Sequence, residues 1–428
     1  MAEIVNVGLI GFGIVGSGAV KILKQNSESI TKKIGVSVNV TSICDLDITK
    51  DRGVDVSNIK LTTNADDLIN DPNIHIIVET IGGLKPAGDF IRKALSAGKH
   101  VVTANKELIA KEGASILPKA AELGLDFLFE ASVGGGIPLI NPMKTSLAGN
   151  EITEIIGIVN GTTNYILTRM KDEGLDFDVV LKEAQKLGYA EADPSSDVDG
   201  HDAAYKISIL GSIGFTSRVD TTKVYREGIT KISAADMGYA KELGYTIKLL
   251  AIAKFIDESM LIRVHPAFIS FDHPLANVNG VMNAVYVKGN AVGEVMFYGP
   301  GAGSLAAGSA VVSDILDIAR NIKYQCNSRV KCTCFDDRKM LGAESVNCKN
   351  YIRIITEDKP RVLASIANVF ADNNVSIESV LQKVLPNETA EIVWLTHIAN
   401  ETSVENALAA IQNLPVVKEV SSRIRVVE

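Results

Sequence analysis

A glycine-rich turn at the start of the chain places the tightest limit on its fold. The apolar run 4–10 ends in Gly11-Phe12-Gly13-Ile14-Val15-Gly16, and a helical pattern of apolar residues follows over 17–24. Strand, G-x-G-x-x-G and helix in this order form a dinucleotide-binding turn, because the glycines let a pyrophosphate approach the backbone at the helix N-terminus. A purely structural glycine turn is the alternative, but the complete context favours a nucleotide site at these six residues.

The second predicted strand, 37–44, ends in Asp45. An acidic residue at this position of a dinucleotide-binding fold usually contacts the adenine ribose hydroxyls, which favours NAD. Lys50 and Arg52 follow on the same loop and can pair with the 2′-phosphate of NADP if the loop folds back. Solvated loop charges are the alternative for these two residues. The sequence therefore leaves NAD and NADP both open.

The composition supports an α/β enzyme. The chain has 428 residues, of which 46% are hydrophobic and 5% aromatic, with a formal net charge of −8. This length allows roughly three domains, and the balance is typical of an α/β protein. An acidic charge without a basic run argues against nucleic acid as a partner, and no apolar run reaches a transmembrane length. Because the first residues are strand-like rather than a signal sequence, we expect a cytoplasmic protein without membrane contact.

Strand and helix patterns alternate to about residue 130, which predicts a doubly wound parallel sheet. Two of its short strands, 74–79 and 99–102, are followed by Thr80 and by Thr-Ala-Asn-Lys ending at Lys106. Ligands of such sheets bind outside the carboxyl ends of the strands. We therefore expect Thr80 and Lys106 to face the nicotinamide, although a strand-end lysine can also be a surface charge.

An acidic loop and a lysine-bearing helix follow in a region of longer strands, which include 151–160 and 261–269. Asp202 and Lys206 lie four residues apart and share one face if the segment is helical. A solvated salt bridge is the alternative, but the apolar residues that follow predict a buried helix, and a buried lysine beside carboxylates is a candidate proton donor. The NGTTN segment at 160–164 offers polar donors, or a helix cap through Thr162 or Thr163.

Seven motifs, in order and at suitable separations, are similar to those of one enzyme family. They are GFGIVGSG, ETIGG, TANK, EASVGGGIP, NGTTNYIL, EADPSSDVDGHDAAYK and GPGAG. Over nearly all of residues 1–325 the chain resembles homoserine dehydrogenase. The resemblance implies an oxidoreductase that reversibly reduces L-aspartate 4-semialdehyde to L-homoserine with NAD or NADP, on the branch to threonine and methionine.

The resemblance also assigns roles to individual residues. It makes Lys206 the proton donor and acceptor and Lys106 a second active-site lysine near cofactor and substrate. Glu191 becomes a ligand of the substrate amino group, and Asp202 and Asp197 complete the polar cluster on the substrate side. Hydride delivery to an aldehyde carbon leaves an alkoxide, to which a lysine ammonium offers both charge and a proton.

For two loops, a functional role is implied by the resemblance alone. The EASVGGGIP loop is similar to a monovalent-cation site, which implies Glu130, Val133, Gly135 and Ile137 as ligands of a structural Na⁺. Without the resemblance it is a glycine-rich turn. The GPGAG loop ends at Gly303, a cofactor contact, where the chain lacks the family's usual Pro-Thr pair before the helix. We expect Ser304 to cap that helix instead.

The last 79 or so residues are similar to an ACT regulatory domain. Their predicted order is βαββαβ, with strands 351–356, 375–384, 390–397 and 417–427 and helices 362–372 and 403–413. In that family the unit pairs with another copy and binds an amino acid, which implies L-threonine as an effector. Arg361 stands where the typical motif has a glycine that lets a carboxylate reach backbone N–H groups, so a role mainly in assembly is the alternative.

The predicted organisation has four segments. A Rossmann-type nucleotide domain covers 1–130 and about 299–323, and an α+β substrate and dimerisation domain covers 131–298. A cysteine-rich linker at 324–349 precedes the ACT-like domain, 350–428. The implied partners are the small-molecule substrate and further copies of the chain in a homodimer or homotetramer.

The linker region carries four of the five cysteines, namely Cys326, Cys332, Cys334 and Cys348. Their spacing matches no standard zinc pattern. We interpret the segment as a linker, with metal binding or redox sensing as the alternative. For the whole chain, two rival interpretations remain: another Rossmann oxidoreductase for a small polyol or semialdehyde, and a cofactor-binding sensor that binds nucleotide without turnover.

Overall fold

The computed structural model describes residues 3–427. The strands, in chain order, are β1 (Glu3–Ile10), β2 (Val36–Cys44), β3 (Lys60–Thr62), β4 (Ile76–Glu79), β5 (His100–Thr103), β6 (Phe127–Leu128), β7 (Ile152–Ile158), β8 (Tyr225–Arg226), β9 (Tyr245–Ile256), β10 (Ser259–Ser270), β11 (Met282–Gly289), β12 (Gly293–Pro300), β13 (Asn347–Glu357), β14 (Ile377–Leu385), β15 (Thr389–Thr396), β16 (Ala399–Asn400) and β17 (Val417–Val427).

The α-helices follow the same order. They are α1 (Ile14–Gln25), α2 (Ser27–Ile34), α3 (Asp66–Ile69), α4 (Ala87–Ser96), α5 (Lys106–Glu122), α6 (Ile140–Lys144), α7 (Gly161–Glu173), α8 (Phe177–Lys186), α9 (Ser195–Val198), α10 (His201–Gly214), α11 (Ala234–Glu242), α12 (Ser304–Tyr324), α13 (Val362–Asp372) and α14 (Glu401–Gln412). No helix within residues 3–427 combines the length and the apolar composition needed to cross a membrane.

The described residues form two compact units. The first takes in the chain up to residue 159 together with 205–222 and 282–338, and the second takes in 160–204, 223–281 and the chain from 339 onward. The division falls inside α10, so each unit is built from several separate stretches of chain.

A six-stranded parallel sheet forms the centre of the first unit, in the order β3-β2-β1-β4-β5-β6. The strand order runs outward in both directions from the neighbouring strands β1 and β4. This reversal opens a crevice beyond their carboxyl ends, which is where doubly wound folds bind ligands. The predicted doubly wound arrangement is confirmed, and strands β4 and β5 begin one or two residues later than expected.

Helix α12 returns to this sheet, as predicted, and packs against α1 in the same apolar core. The two helices approach closely at Gly18 and Gly308, because a Cβ on Gly308 would lie only 2.7 Å from the backbone nitrogen of Ala19. The predicted cap is wrong: α12 begins at Ser304 itself, and Gly303, with φ of 120°, occupies the N-cap position without a side-chain bond. Since Ser304 already lies inside the helix, its hydroxyl is not a cap.

The first unit also contains the antiparallel strands β7, β11 and β12, with β11 paired to both of its neighbours. Strand β7 is buried from Ile155 to its end. The residue after the strand is Val159, and its carbonyl oxygen accepts a hydrogen bond from Lys206 of α10.

The second unit carries a sheet in the order β9-β10-β17-β13-β15-β14. Its C-terminal part has the predicted βαββαβ order, with the two-residue β16 added before α14. The helix 362–372 and the strand 417–427 have the predicted bounds, whereas β13 begins earlier, at Asn347. Phe370 of α13 and Trp394 of β15 pack in its core with ring centroids 5.4 Å apart.

Helix α7 of the second unit begins at Gly161, and its cap is neither of the threonines proposed from the sequence. The Asn160 side chain accepts a hydrogen bond from the Thr163 backbone at 2.9 Å and is the N-cap. Asparagine is among the best N-cap residues because its side-chain oxygen reaches the first free N–H groups of a helix.

Candidate active site

The glycine turn after β1 has the geometry of a phosphate-binding turn. Gly11 has φ of 100°, and a Cβ on Gly16 would lie 2.2 Å from the Gly11 carbonyl oxygen, so both positions require glycine. The Thr80 hydroxyl donates to that same carbonyl at 2.7 Å, which connects the end of β4 to the turn. Thr80 therefore lies beside the turn, and its contact with the nicotinamide stays a prediction.

The N-terminus of α1 is open to an anion. Gly13 is its N-cap with no side-chain bond, the first turn carries no acidic residue, and a Cβ on Gly13 would meet nothing within 4 Å. The first N–H groups of a helix without a capping side chain attract negative charge. These residues fit the pyrophosphate of a dinucleotide.

Asp45 lies at the end of β2, where the sequence placed it, and both of its oxygens are engaged. Oδ2 accepts the Phe12 N–H at 2.6 Å, and Oδ1 accepts the Asp47 N–H at 2.9 Å. The Arg52 guanidinium lies 3.6 Å from Asp45. Together with Lys50 these residues border a cavity of about 130 Å³ next to the glycine turn. The loop does fold back, so a cation and a carboxylate both reach the ribose end of the nucleotide crevice.

Motif reading missed the role of Glu79, a fully buried carboxylate at the end of β4. Its Oε1 accepts the N–H groups of Ile81 and Gly82, both at 2.8 Å, while its Oε2 accepts the Thr103 hydroxyl at 2.5 Å. Asn105 makes a second connection by donating to the Gly83 carbonyl at 2.6 Å. The ETIGG and TANK loops are therefore joined by hydrogen bonds. The signal available in the sequence was an acidic residue in an otherwise apolar strand.

Lys106 is the first residue of α5, and Asn105 caps this helix by accepting the Leu108 N–H at 3.0 Å. The lysine side chain is half-buried at the carboxyl end of β5. It occupies the strand-end position expected from the sequence, on a rigid element rather than on a surface loop.

Lys206 is buried, with 9% of its surface exposed. Its Nζ donates to the Val159 carbonyl at 2.7 Å, directly after β7 in the same unit. Asp202 lies one turn earlier on α10, and its residue is also buried. The prediction of a buried, helical lysine is confirmed. The Val159 carbonyl oxygen holds the ammonium in place.

The acidic loop of the second unit is organised by Asn160. Its Nδ2 donates to Asp197 Oδ1 at 2.6 Å and to Asp202 Oδ2 at 2.9 Å, so one amide holds two carboxylates. Glu191 is exposed, and within residues 3–427 its carboxylate makes no hydrogen bond or ion pair, although its backbone carbonyl accepts from Gln185. The structure brings Asp197 and Asp202 together and leaves the Glu191 carboxylate in solvent.

The loop assigned to a cation contains oxygen atoms that can serve as cation ligands. The Glu130 carboxylate is buried and accepts the N–H groups of α6 and the residue before it, from Leu139 to Asn141. Burial raises the pKa of Glu130, and these N–H groups act in the opposite direction. Within the described residues no hydrogen bond reaches the carbonyls of Val133, Gly135 or Ile137. A carboxylate and three unused carbonyls are the oxygen ligands that hard cations take, so the residues fit.

Family models match most of the chain. The model described as homoserine dehydrogenase matches residues 138–316, and the homoserine dehydrogenase NAD-binding domain matches residues 11–130. The model of the ACT domain matches residues 350–416.

Full-length relatives point in the same direction. The chain is 46% identical to a homoserine dehydrogenase of Synechocystis, with 99% of each chain covered, and 41% identical to one of Bacillus subtilis, with 99% and 98% covered. Among solved structures, a homoserine dehydrogenase of Thiobacillus denitrificans superposes with a TM-score of 0.95 at 42% identity, covering 100% of this chain and 99% of that one. A hyperthermophilic archaeal homoserine dehydrogenase mutant in complex with NADPH superposes with a TM-score of 0.64 at 30% identity, covering 74% and 98%.

Proposed function

The chain belongs to the homoserine dehydrogenase family, and from that premise we propose that Lys206 is the proton donor and acceptor in its interconversion of L-aspartate 4-semialdehyde and L-homoserine. The observation that carries this proposal is the buried ammonium of Lys206, held by the Val159 carbonyl. Moving an ammonium out of water has a high cost, and buried ionisable groups of this kind cluster at functional sites. The product is a precursor on the branch to threonine and methionine.

The chemistry divides between cofactor and protein. The bound nicotinamide supplies or takes up a hydride at the substrate carbon. In the reducing direction Lys206 donates a proton from Nζ to the aldehyde oxygen as negative charge develops there, and in the oxidising direction it takes the hydroxyl proton. The ammonium also stabilises the developing alkoxide electrostatically. The Val159 carbonyl holds Nζ in one position, which reduces the rotamer freedom that the lysine loses at the transition state.

Other residues hold the reactants. We assign Lys106 to cofactor and substrate at the end of β5, and Thr80 to the glycine turn that it already contacts. Asp197 and Asp202, fixed by Asn160, and the solvent-facing Glu191 are assigned to the ammonium group of the amino-acid substrate. A carboxylate is the side chain that pairs best with such a group.

We infer that the preferred nucleotide is NADP. The Asp45 oxygens accept one backbone N–H of the glycine turn and one of its own loop, so its carboxylate is largely structural. The Arg52 guanidinium borders the cavity next to the glycine turn. A guanidinium can bind a 2′-phosphate with two hydrogen bonds. Arg52→Gln should therefore weaken NADP binding by about tenfold or more and leave NAD binding within a few-fold.

Four further assignments follow from family membership. Glu130 and the carbonyls of Val133, Gly135 and Ile137 would hold a Na⁺ ion that orders their loop, so replacing Na⁺ by a large organic cation should lower the melting temperature. The ACT-like domain would bind L-threonine or support assembly into a homodimer or homotetramer.

We place the enzyme in the cytoplasm. The domain boundaries near residues 130, 298, 323 and 349 are kept as proposed from the sequence.

The decisive experiment is L-homoserine oxidation by the purified protein, followed as reduced-cofactor absorbance with NAD and NADP in parallel. Lys206→Ala should lower kcat on the order of 10²-fold or more, with a much smaller change in KM, because a general acid and base acts mainly in the transition state. Lys182→Ala, which changes an exposed lysine of α8, is the matched control.

Two outcomes would contradict the proposal. If Lys206→Ala keeps kcat within a few-fold of the unchanged enzyme, the proton passes through another group. If the unchanged protein binds nucleotide but oxidises no L-homoserine, the chain is a cofactor-binding sensor. Circular dichroism of both variants shows whether a loss of turnover reflects unfolding.

A further inference from the structure

A cavity of about 400 Å³ lies inside the first unit, between helices α5 and α10 and the segment that follows α12. None of the residues assigned above to substrate, nucleotide or cation lines it. Its walls are mostly apolar side chains of the two helices, and its polar lining includes the cations Lys144 and Arg218 and the thiols Cys332 and Cys334. We call this space the dithiol cavity.

The two thiols of the dithiol cavity have different partners. The Arg218 guanidinium donates to Cys332 Sγ at 2.8 Å, whereas the Cys334 thiol is near the Ser212 carbonyl, at 3.3 Å. The two residues are separated only by Thr333, and their thiols are in hydrogen-bond contact. One sulfur therefore receives hydrogen bonds and the other donates one.

The electrostatics follow from these partners. A hydrogen bond from the Cys334 thiol, the Cys334 backbone N–H and the nearby charges of Arg218 and Lys144 together lower the pKa of Cys332 to about 5, against the effect of burial. The same contact and burial raise the pKa of Cys334. A thiol has only one hydrogen, and that of Cys334 serves either Ser212 or Cys332. The direction for Cys332 holds in both cases because the N–H groups and cations remain.

We propose that Cys332 and Cys334 form a thiol modification site that reacts with hydroperoxides, with Cys332 as the attacking sulfur and Cys334 as the resolving sulfur. A thiolate fixed by a guanidinium beside a protonated thiol is the arrangement that peroxide-reactive cysteines share. The proposal does not depend on the roles of Lys106 or Lys206.

The reaction has two steps and needs only the hydroperoxide as oxidant. The Cys332 thiolate attacks one peroxide oxygen, the O–O bond breaks, and the leaving oxygen takes up a proton as water or alcohol. Sulfur has then lost two electrons and is a sulfenic acid. The Cys334 sulfur attacks Cys332, the S–O bond breaks, water leaves with the thiol proton, and the Cys332–Cys334 disulfide forms.

The other cysteines are placed differently. Cys44 and Cys348 are buried in β2 and β13, and burial is the main factor that raises the pKa of each. Cys326 is exposed, and its thiol lies 3.6 Å from the Asn321 amide oxygen. Cys334 is the thiol in contact with Cys332, so we expect the disulfide to form within the C-T-C sequence rather than between distant residues.

The first test compares alkylation rates at pH 6 in the reduced, full-length protein, using iodoacetamide and peptide mass spectrometry. At pH 6 a lowered pKa raises the thiolate fraction of Cys332, and this gain outweighs the lower intrinsic nucleophilicity of such a thiolate by about tenfold. Cys332 should therefore react about tenfold faster than the more exposed Cys326. Equal rates, or a faster Cys326, would overturn the proposal.

The second test adds a small excess of hydrogen peroxide and maps the products. The unchanged protein should give a Cys332–Cys334 peptide that has lost two hydrogen atoms. Cys334→Ser should stop at a sulfenic acid on Cys332 that dimedone traps, Cys332→Ser should leave Cys334 reduced, and Cys326→Ser should behave like the unchanged protein. A sulfenic acid at Cys334 in Cys332→Ser, or a disulfide that includes Cys326, would refute the assignment. The alkylation rates of the unchanged protein decide the question if a variant does not fold.

Discussion

The strand-end loops of the parallel sheet and the C-terminal βαββαβ region use buried polar side chains in opposite ways. In the strand-end loops, Glu79, Thr80 and Asn105 bond mainly to backbone atoms of the glycine turns. At the C-terminal region, buried charges bond to one another: Arg353 pairs with Asp236 of α11 at 2.9 Å and with Glu391 of β15 at 2.9 Å. The first arrangement fixes the backbone of the strand-end loops. The second pairs buried charges with one another.

The two regions also differ in the residues that occupy left-handed backbone positions. Gly82 and Gly83, after β4, both have positive φ and carry no side chain into the nucleotide crevice. The comparable turn before α13 places Arg361 at φ of 76°. Glycine enters this conformation without strain, whereas arginine does not. The strand-end loops are built for close approach of a ligand, and the turn before α13 is not.

The largest effect that the comparison predicts is on Asp236, which is fully buried. Asp236→Ala leaves Arg353 without one of its two carboxylates and removes a partner of the Tyr351 hydroxyl, at 3.0 Å. Removal of one side of a buried ion pair costs about 4 kcal/mol, because the remaining charge stays desolvated. The free energy of unfolding, measured by denaturant titration, should fall by that amount, while the nucleotide dissociation constant should not change.

An exposed ion pair between the same helix, α11, and strand β14 provides the control. Glu242 and Lys383 lie 2.7 Å apart and are both about half exposed. Glu242→Ala should cost well under 1 kcal/mol, since solvent screens such pairs. A similar loss of stability in both variants would show that burial is not what distinguishes the Asp236 cluster.

For the strand-end loops, the corresponding prediction concerns Glu79. Glu79→Gln keeps the shape but weakens two hydrogen bonds from backbone N–H groups to a charged oxygen, which lowers the free energy of unfolding by about 2 kcal/mol. Because those N–H groups belong to the loop that we propose to bind the nucleotide, we expect the nucleotide dissociation constant to rise about tenfold. Glu107→Gln, which changes a less buried glutamate paired with Lys111 at 2.6 Å, is the control. Lower stability with unchanged nucleotide affinity would reduce Glu79 to a structural residue.

The comparison also shows which features of the chain could be predicted from the sequence and which could not. The doubly wound sheet and the βαββαβ region were predictable because apolar periodicity and glycine turns act locally. Burial of Lys206 was predictable from the apolar residues around it in α10. The bond between Glu79 and Thr103 was not, since it depends on β4 and β5 being neighbours in the sheet.

Long-range contacts explain the remaining misses at the candidate site. Asn160 joins two aspartates of a loop far along the chain, and Arg218 reaches Cys332 across 114 residues. The cap predicted at Ser304 failed for a related reason. The α12 helix starts where the Ser304 backbone packs against Gly18, because a Cβ on Gly18 would lie 2.0 Å from the Ser304 carbonyl oxygen. No local sequence pattern indicates that close contact.

Acid should weaken the two regions in a definite order. Burial lowers the pKa of His100 in β5 to about 4, and its Nδ1 accepts the Asp126 N–H at 3.0 Å, so the folded state holds the neutral ring. The unfolded chain, with a pKa of about 6.5, binds the proton first, and stability is therefore lost as the pH falls from 6.5 to 4, by up to about 1.4 kcal/mol per unit. Although burial opposes it, pairing with Arg425 and Arg423 lowers the pKa of Glu401 below 4.5, so its contribution is lost only at lower pH.

Hydrogen exchange measures this order. Peptides around β5 should lose protection between pH 6.5 and 5, after correction for intrinsic exchange rates, before peptides of β17 and α14 do. His100→Asn keeps a hydrogen-bond acceptor but no titrating ring, and it should remove the early loss. Simultaneous loss in both regions would show that the chain unfolds as one cooperative body in acid.

Arg361 gives the smallest effect and the most direct contrast with the glycine turns. A residue other than glycine at φ of 76° carries about 1 kcal/mol of strain, of which the greater freedom of glycine in the unfolded chain cancels a part. Arg361→Gly should thus raise the free energy of unfolding by about 0.5 kcal/mol, whereas Lys359→Gly, outside the left-handed region, should lower it. Isothermal titration with L-threonine completes the test: if the turn before α13 lacks only a glycine, Arg361→Gly binds the amino acid more tightly than the unchanged chain. A loss of stability in Arg361→Gly would instead mean that the arginine side chain holds the turn.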